Sequence, residues 1–477
     1  MRATKLINIS GFLLEKITRF LITILIAKYY SPEVLGEYSL GFSIFMLVTV
    51  VAGFSAPNIL IRFFTNKEGQ ERNANLITAL LFYTLLLAAL VFSLMLLVYV
   101  YSEMPYFSGN VAFYSIIFFA CMIFYNGINL FGAYYRIRDE LIIDAVLRYY
   151  VPSLFLLMSL FLILYHELEV KYFVLSWLVC YGALFIGMTA TNLLNPESQF
   201  YFKKIGPSSS FICLSKVYIK YGLYILGIAV AALVVGEVDR LMLGGVLDAY
   251  EVGLFSMALL ISTSPNLIIG GINFLLPPVV RRHSDNLEWL RQSFMIYVEL
   301  LMVVISLFSI LLLYFGENLL AWVGEDYVNS EVSKYVFIIL IASIISAFTG
   351  PSGIYMQYLG SEKLDFTISI IAGLVSIFLS FFLVTWYGLI GAAFSFIISN
   401  SIVKVTRCIY LKSIQRIKFS TISLALMVLQ VVSMVLAASQ SEQAFDILRM
   451  IFSAIIFILC MSVLVKHRVL IVSLIKN

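Results

Sequence analysis

The 477-residue chain is short of charge: only 12% of its residues are Asp, Glu, Lys or Arg, where ordinary soluble domains carry about 25%. With 62% hydrophobic residues, that shortage excludes a soluble globular protein and points to an all-α polytopic membrane protein. The five cysteines (Cys121, Cys180, Cys213, Cys408 and Cys460) are scattered in or beside apolar runs without a CxxC. That excludes a disulfide framework and leaves them as packing residues. The three histidines, His166, His283 and His467, stand far apart at or beyond expected helix ends, so neither a metal site nor a cofactor is expected. A nucleotide-binding P-loop is missing, which argues against a self-contained ATP-driven pump. No connection is long enough to fold alone. The first apolar run has no small-residue cleavage site and is expected to stay as an anchor.

What the chain has in quantity is apolar runs of roughly 18 residues or more, the length of a spanning helix. They predict about fourteen transmembrane helices, over 4–27, 36–61, 76–100, 110–135, 141–165, 172–194, 217–243, 252–279, 290–314, 333–358, 365–386, 389–411, 419–439 and 446–465. Pro57, Pro152, Pro265, Pro277, Pro278 and Pro351 fall within these spans and are expected to bend them. The longest inner segment, with PESQF and GPSSS, reads as a linker over 195–216. It divides the chain into an N-terminal lobe, 1–194 (helices one to six), a C-terminal lobe, 217–418 (helices seven to twelve), and 419–477, a final helix pair with a tail. A faint repeat agrees with this division: EVLGEYS from Glu33 aligns with YEVGLFS from Tyr250, sharing Gly, an aromatic and Ser in register. Six helices per copy would keep both copies in one orientation, a transporter arrangement.

Most of the 31 Lys and Arg fall at alternate helix ends, from Arg2 and Lys5 through Arg62, Arg136, Lys203, Arg281 and Arg407 to Lys466 and Lys476. The other side has only Lys28, Lys171 and Lys334. Lys/Arg excess marks the cytoplasmic face, which puts both termini inside. Trp177, Trp289, Trp322 and Trp386 lie near or beyond helix ends, where an indole favours the membrane interface. The longest outer loop, about 315–332, is acidic.

The informative residues are the charges inside spans. The run from Ser10 to Ser31 carries Glu15, Lys16 and Arg19 in its middle. A charge there is costly, and it usually faces a bundle interior or a water-filled cavity. Glu15 precedes Arg19 by four residues, so a local ion pair can cancel one cation and leave Lys16 in excess. Lys16 and Arg19 are therefore the first candidates for binding an anionic substrate; the alternative is a salt bridge tying the helix to a neighbour. The seventh helix carries Glu237, Asp239 and Arg240. Adjacent Asp239 and Arg240 cannot share a face, so each is expected to find partners on other helices. Arg240, Arg62 and Lys220 complete the substrate-binding candidates. Arg148 and Lys220 can snorkel to the headgroups, and Arg62 and Arg136 can form a basic vestibule at one level. Glu299 stands as the clearest lone acid, and with Glu237 and Asp239 it is an ion-coupling candidate.

Three stretches carry a family resemblance: residues 10–64, with AKYYSPEVLGEYSLGFSI and APNILIRFF; EVDRLMLGGVLDAYEVGLFSMALLI from Glu237; and YGLIGAAFSFIIS from Tyr387. They resemble the Wzx-type O-antigen and polysaccharide flippases of the multidrug/oligosaccharidyl-lipid/polysaccharide exporter superfamily. The fourteen spans are also similar to the peptidoglycan-precursor branch. The resemblance implies two six-helix lobes in a V-shaped arrangement with a C-terminal helix pair. It further implies alternating access and flipping of an undecaprenyl-pyrophosphate-linked oligosaccharide across a bacterial inner membrane. The partners it implies are the lipid-linked substrate, membrane lipids, a polysaccharide polymerase and a chain-length regulator, with no nucleic acid and no enzymatic activity. A gradient-coupled multidrug antiporter of the same superfamily is the alternative. Neither the sugar nor the energy source is written in the sequence.

Overall fold

The computed structural model describes residues 2–63, 84, 86–93, 109–138, 140–194, 216–282, 286–330, 332–358, 361–413, 419–439 and 444–467. Among these residues there is no strand; nearly all are helical. The chain packs as two compact units, one of residues 1–29 and 33–234, the other of residues 30–32 and 235–477. The expected linker, except Lys216, lies outside the described residues, as does most of the expected third helix, of which 84 and 86–93 are helical.

The first unit contains α1 (Arg2–Tyr29), α2 (Pro32–Gly53), α3 (Ala56–Phe63), α4 (Gly109–Ile137), α5 (Leu141–Tyr165), α6 (Val170–Leu194) and the first part of α7 (Lys216–Val246). The expected second span is broken between α2 and α3, where Phe54 and Ser55 adopt φ of 43° and 52°, a conformation that interrupts the helical ladder. In α5 one π-helical turn, Val146–Tyr150, precedes Pro152. The missing proline N–H and the widened turn rotate the charged start of α5 relative to its apolar remainder. The core is aromatic: Phe42, Phe45, Phe118 and Phe173 pack around Trp177, with ring centroids 5.3–6.4 Å apart. Trp177 is therefore no interface residue. Its indole is 1% exposed, whereas Trp322 and Trp386 are 54% and 72% exposed.

The second unit continues with α8 (Ala249–Thr263), α9 (Pro265–Arg282), α10 (Leu287–Val323), α11 (Glu325–Asn329), α12 (Val332–Thr349), α13 (Ser352–Tyr358), α14 (Glu362–Ser413), α15 (Thr421–Ala438) and α16 (Ala444–Lys466). Side-chain caps set two of these starts: Asp248 accepts from the Glu251 N–H at 2.9 Å, and Asn286 from the Trp289 N–H at 3.0 Å. Several expected bends fall at helix starts. Pro265 opens α9, which turns 51° from α8, and Pro351 follows Gly350, whose φ of 56° ends α12. Pro277 and Pro278, in contrast, lie within α9. Much of the supposed outer loop at 315–332 is helical, because α10 runs on to Val323 and α11 follows.

Among the described residues, nine helices are long and apolar enough to span, or ten with α8 and α9 as one bent span. α1 has the length but carries its three central charges. The 52-residue α14 would be about 78 Å long if straight, more than twice a hydrocarbon core of roughly 30 Å. It folds back at Gly388 (φ 57°, ψ −130°), a conformation that needs glycine. The return is tight, since a Cβ on Gly391 would lie 1.9 Å from the Leu383 carbonyl oxygen. Its far ends are tied by Ser361 and Tyr410 hydroxyls 2.6 Å apart and by Arg407 bonded to Asp365 at 2.7 Å. These two halves are the expected eleventh and twelfth spans. Helices described over thirteen of the expected fourteen spans, and over part of the third, give the polytopic all-α architecture.

Candidate functional site

In the first unit, the chemistry gathers on α1 and the start of α5. Arg19 Nη2 lies 2.6 Å from Glu15 Oε1, the i,i+4 pair that spacing allows. The guanidinium also sits 5.6 Å from the Phe42 ring centroid and 6.0 Å from that of Trp177, with the Tyr125 and Tyr181 hydroxyls within electrostatic reach. Arg19 is thus neutralised and caged by rings, an arrangement suited to the weakly hydrated guanidinium. Lys16 is different. Its ammonium lies 5.5 Å from the Phe12 ring centroid, and among the described residues no carboxylate pairs with it. In the middle of α1, Lys16 is therefore a cation without an ion-pair partner among the described residues.

The sequence reading missed Asp144. It is 0% exposed and stands between Arg148 Nε at 3.2 Å and Arg136 Nε at 3.5 Å. Arg148 does not snorkel, and Arg136 ties α4 to α5. Gly132 makes the approach possible, since a Cβ there would meet Asp144 Oδ1 at 2.5 Å. The i,i+4 spacing of Asp144 and Arg148 was the signal, the same one that marked Glu15 and Arg19. Tyr149 joins the two groups: its hydroxyl contacts Arg148, its ring meets Phe12 edge-on at 6.3 Å, and it lies within electrostatic reach of Glu15 and Arg136. Among the described residues the ion pairs of Lys16, Arg19, Arg136 and Arg148 involve the carboxylates of Glu15 and Asp144, an excess of positive charge on a mostly aromatic bed. Of the remaining candidates in this unit, Arg62 stacks on Tyr221 at 4.2 Å and Lys220 is exposed on α7.

The second unit corrects two expectations. Arg240 Nη1 pairs with Glu237 Oε2 on its own helix at 2.6 Å, one turn away, and needs no other helix to cancel its charge. Glu299 is not a lone acid. It is 0% exposed, accepts from Lys466 Nζ at 2.8 and 3.0 Å, and contacts His467 and Ser420. The partners lie 167 and 168 positions later, a separation that spacing rules cannot see. This clamp fastens the end of α16 and the start of α15 to α10. Of the three acid candidates, Asp239 is the one with no ion pair among the described residues, although Arg240 lies within electrostatic reach. It is 0% exposed, and neither carboxylate oxygen has a well-aligned hydrogen bond. The Ser380 and Ser395 hydroxyls are within its reach. Near the Lys/Arg-rich end of α14, Lys404 contacts the Ser346 hydroxyl.

The described residues form an all-helical fold in which a polar, charge-bearing helix stands near the start of each unit. No family model and no curated protein matches the chain, but solved structures do. The lipid II flippase MurJ in an inward closed conformation is similar with a TM-score of 0.72 and 13% identity, covering 99% of this chain and 100% of its own. An inward-facing multidrug MATE transporter has a TM-score of 0.67 and 13% identity over 84% of this chain and 94% of that one. The MATE multidrug transporter DinF-BH has a TM-score of 0.62 and 18% identity over 87% of this chain and 95% of its own. At these identities the likeness is one of fold.

Proposed function

We propose that the chain is a flippase for a pyrophosphate-linked polyprenyl oligosaccharide, moving it by alternating access from the cytoplasmic to the outer leaflet of a bacterial inner membrane. The observation that carries this reading is the Lys16 ammonium, without an ion-pair partner among the described residues, within a cluster where cations outnumber carboxylates. A diphosphate is a compact anion, and charge-assisted hydrogen bonds to ammonium and guanidinium groups are the interactions that hold one. In this reading Lys16 takes the phosphate directly. Arg19, held by Glu15, fixes the aromatic bed and offers its remaining N–H groups. Arg62, stacked on Tyr221, and the exposed Lys220 serve entry. Arg240, already paired, contributes least. Tyr125, Tyr149 and Tyr181 supply hydroxyls and ring faces for sugar. Likeness to a lipid II flippase over nearly the whole chain supports a lipid-linked substrate. An O-antigen or other surface-polysaccharide repeat unit is the one the sequence resemblance favours, and a peptidoglycan precursor is the variant the MurJ likeness favours.

Asp239, buried and without an ion pair among the described residues, is the ion-coupling group in this reading. Glu299 is structural, and Glu237 serves Arg240. The same Asp239 favours the second reading, a gradient-coupled organic-cation antiporter, because a buried carboxylate is what a cationic drug would seek. The deciding experiment follows the leaflet sidedness of a pyrophosphate-linked polyprenyl oligosaccharide in proteoliposomes, with the native chain and Lys16→Ala. Movement that requires Lys16 supports the flippase. Absence of movement together with gradient-driven efflux of organic cations that needs Asp239 overturns it.

A further inference from the structure

The second unit also contains a groove apart from its buried charges. α14 and α15 both pack on α12, and where α12 ends they flank a cavity of about 670 Å³, inside the range of roughly 300–1,000 Å³ usual for ligand sites. Its floor is closed by tertiary contacts. The Cys408 thiol donates to the Thr349 carbonyl at 3.4 Å, and the Phe419 ring stacks on Phe348 at 5.2 Å and meets Phe294 edge-on at 5.8 Å.

The walls are apolar and open outward. On α14, Val405 and Ile409 are 41% and 61% exposed, and on α15 Leu424 is 48% exposed. Lys412, in the last turn of α14, continues the Val405–Ile409 face at helical spacing and lines the cavity together with Ser420 and Thr421 at the start of α15. Among the described residues no carboxylate pairs with Lys412: Asp365 is held by Arg407 at 2.7 Å, and Glu299 by Lys466 at 2.8 Å. An apolar slot thus ends in one cation and two hydroxyl-bearing residues.

We propose that this groove binds one phospholipid with an anionic, amine-free headgroup, drawn from the leaflet on the Lys/Arg-rich side of the membrane. Its phosphate meets Lys412, and an acyl chain lies along Val405, Ile409 and Leu424. Charge selects this occupant. Basic pockets between spanning helices hold anionic headgroups, and an ammonium–phosphate contact is a charge-assisted hydrogen bond. A zwitterionic lipid would bring its own ammonium to a mouth that already has a lysine and whose nearest acid, Glu299, is taken. Depth agrees: from Lys412 to Val405 the helix rises about 10 Å, which keeps the chain within one leaflet of a core about 30 Å thick. Such a lipid fills the space between two helices that both lean on α12, and it does so whatever substrate the chain moves.

Photolabelling tests the site. The full chain, in nanodiscs of phosphatidylcholine, receives a trace of phosphatidylglycerol or of phosphatidylcholine bearing the same diazirine acyl chain, and adducts are mapped by peptide mass spectrometry. Adducts within 405–412 and 421–424 are expected about fivefold more often from phosphatidylglycerol, the preference that one lysine near a membrane surface supplies. Lys412→Gln should bring the two lipids to parity, and Lys412→Arg should keep the excess. Lys363→Gln, which removes an exposed lysine from the first turn of α14, should leave it unchanged. A monodisperse elution profile checks each fold. Equal yields from the two lipids in the native chain, or an excess that survives Lys412→Gln, overturns the site. So does near-complete displacement of the phosphatidylglycerol label by an equimolar polyprenyl phosphate, which would make the groove a berth for a carrier lipid instead.

Discussion

The two polar helices, α1 in the first unit and α7, whose charged part lies in the second, solve the same problem in opposite senses. Each bears three charges in its interior, and in each one arginine is cancelled by a glutamate on the same helix, Arg19 by Glu15 and Arg240 by Glu237, both at 2.6 Å. What remains differs in sign. α1 is left with Lys16 over an aromatic ring, and α7 with Asp239 among serines. One unit keeps a cation suited to an anionic headgroup and the other a carboxylate suited to a small cation. The local pair steadies each helix, and the residual charge is the group available for function, because isolated intramembrane charge is too costly to persist without use.

Breaking the comparison at Lys16 should have the largest effect. Lys16→Ala is expected to slow flipping by about 100-fold, roughly 2.7 kcal/mol at the barrier, in the sidedness assay, while Lys16→Arg retains most of the rate. Equal rates in native chain and Lys16→Ala would remove α1 from the substrate site. Next in size is Asp239→Asn, which keeps shape and removes charge. Transport is expected to lose its dependence on an imposed ion gradient and to run about tenfold slower, since a coupled gradient no longer contributes its differential binding energy. Gradient dependence retained in Asp239→Asn would refute the coupling role.

The fold was legible because the bilayer demands helices of fixed length, and the Gly388 turn falls between the two spans expected from hydropathy alone. Local pairs were legible as well: Glu15 and Arg19 announce themselves at i,i+4. Asp144 and Arg148 announce themselves equally, yet the aliphatic run around them hid the pair until Arg136 from α4 was seen to share the carboxylate. What sequence could not carry was tertiary. Glu299 looked alone because its partners come from the far end of the chain, and Arg240, expected to seek a partner on another helix, pairs instead with Glu237 one turn away. Trp177 was drawn to the interface by a rule about helix ends, whereas its ring closes the cage around Arg19.

A smaller effect, on stability rather than transport, belongs to the Glu299 clamp. Glu299→Gln leaves Lys466 and His467 facing an amide. With Lys466 45% exposed, water recovers part of the loss, so the cost is about 1–2 kcal/mol rather than that of a fully buried pair. Thermal unfolding in detergent should fall by a few degrees, with the flipping rate per folded molecule unchanged. An unaltered melting temperature would show that α15 and α16 are held by apolar packing alone.

The smallest effect is expected where the comparison is most symmetrical. Single Arg240→Gln leaves the Glu237 carboxylate, 17% exposed on its side chain, without its guanidinium and should reduce transport several-fold through misplacement of α7. Glu237→Gln with Arg240→Gln removes both charges together and leaves Asp239 as it was. Because losing one partner of a shielded pair costs more than losing both, the double variant should return to within about twofold of the native rate, and its gradient dependence should persist. A double variant as poor as the single would mean that the Arg240 charge itself meets the substrate, making α7 an anion-binding helix like α1 and erasing the distinction between the two units.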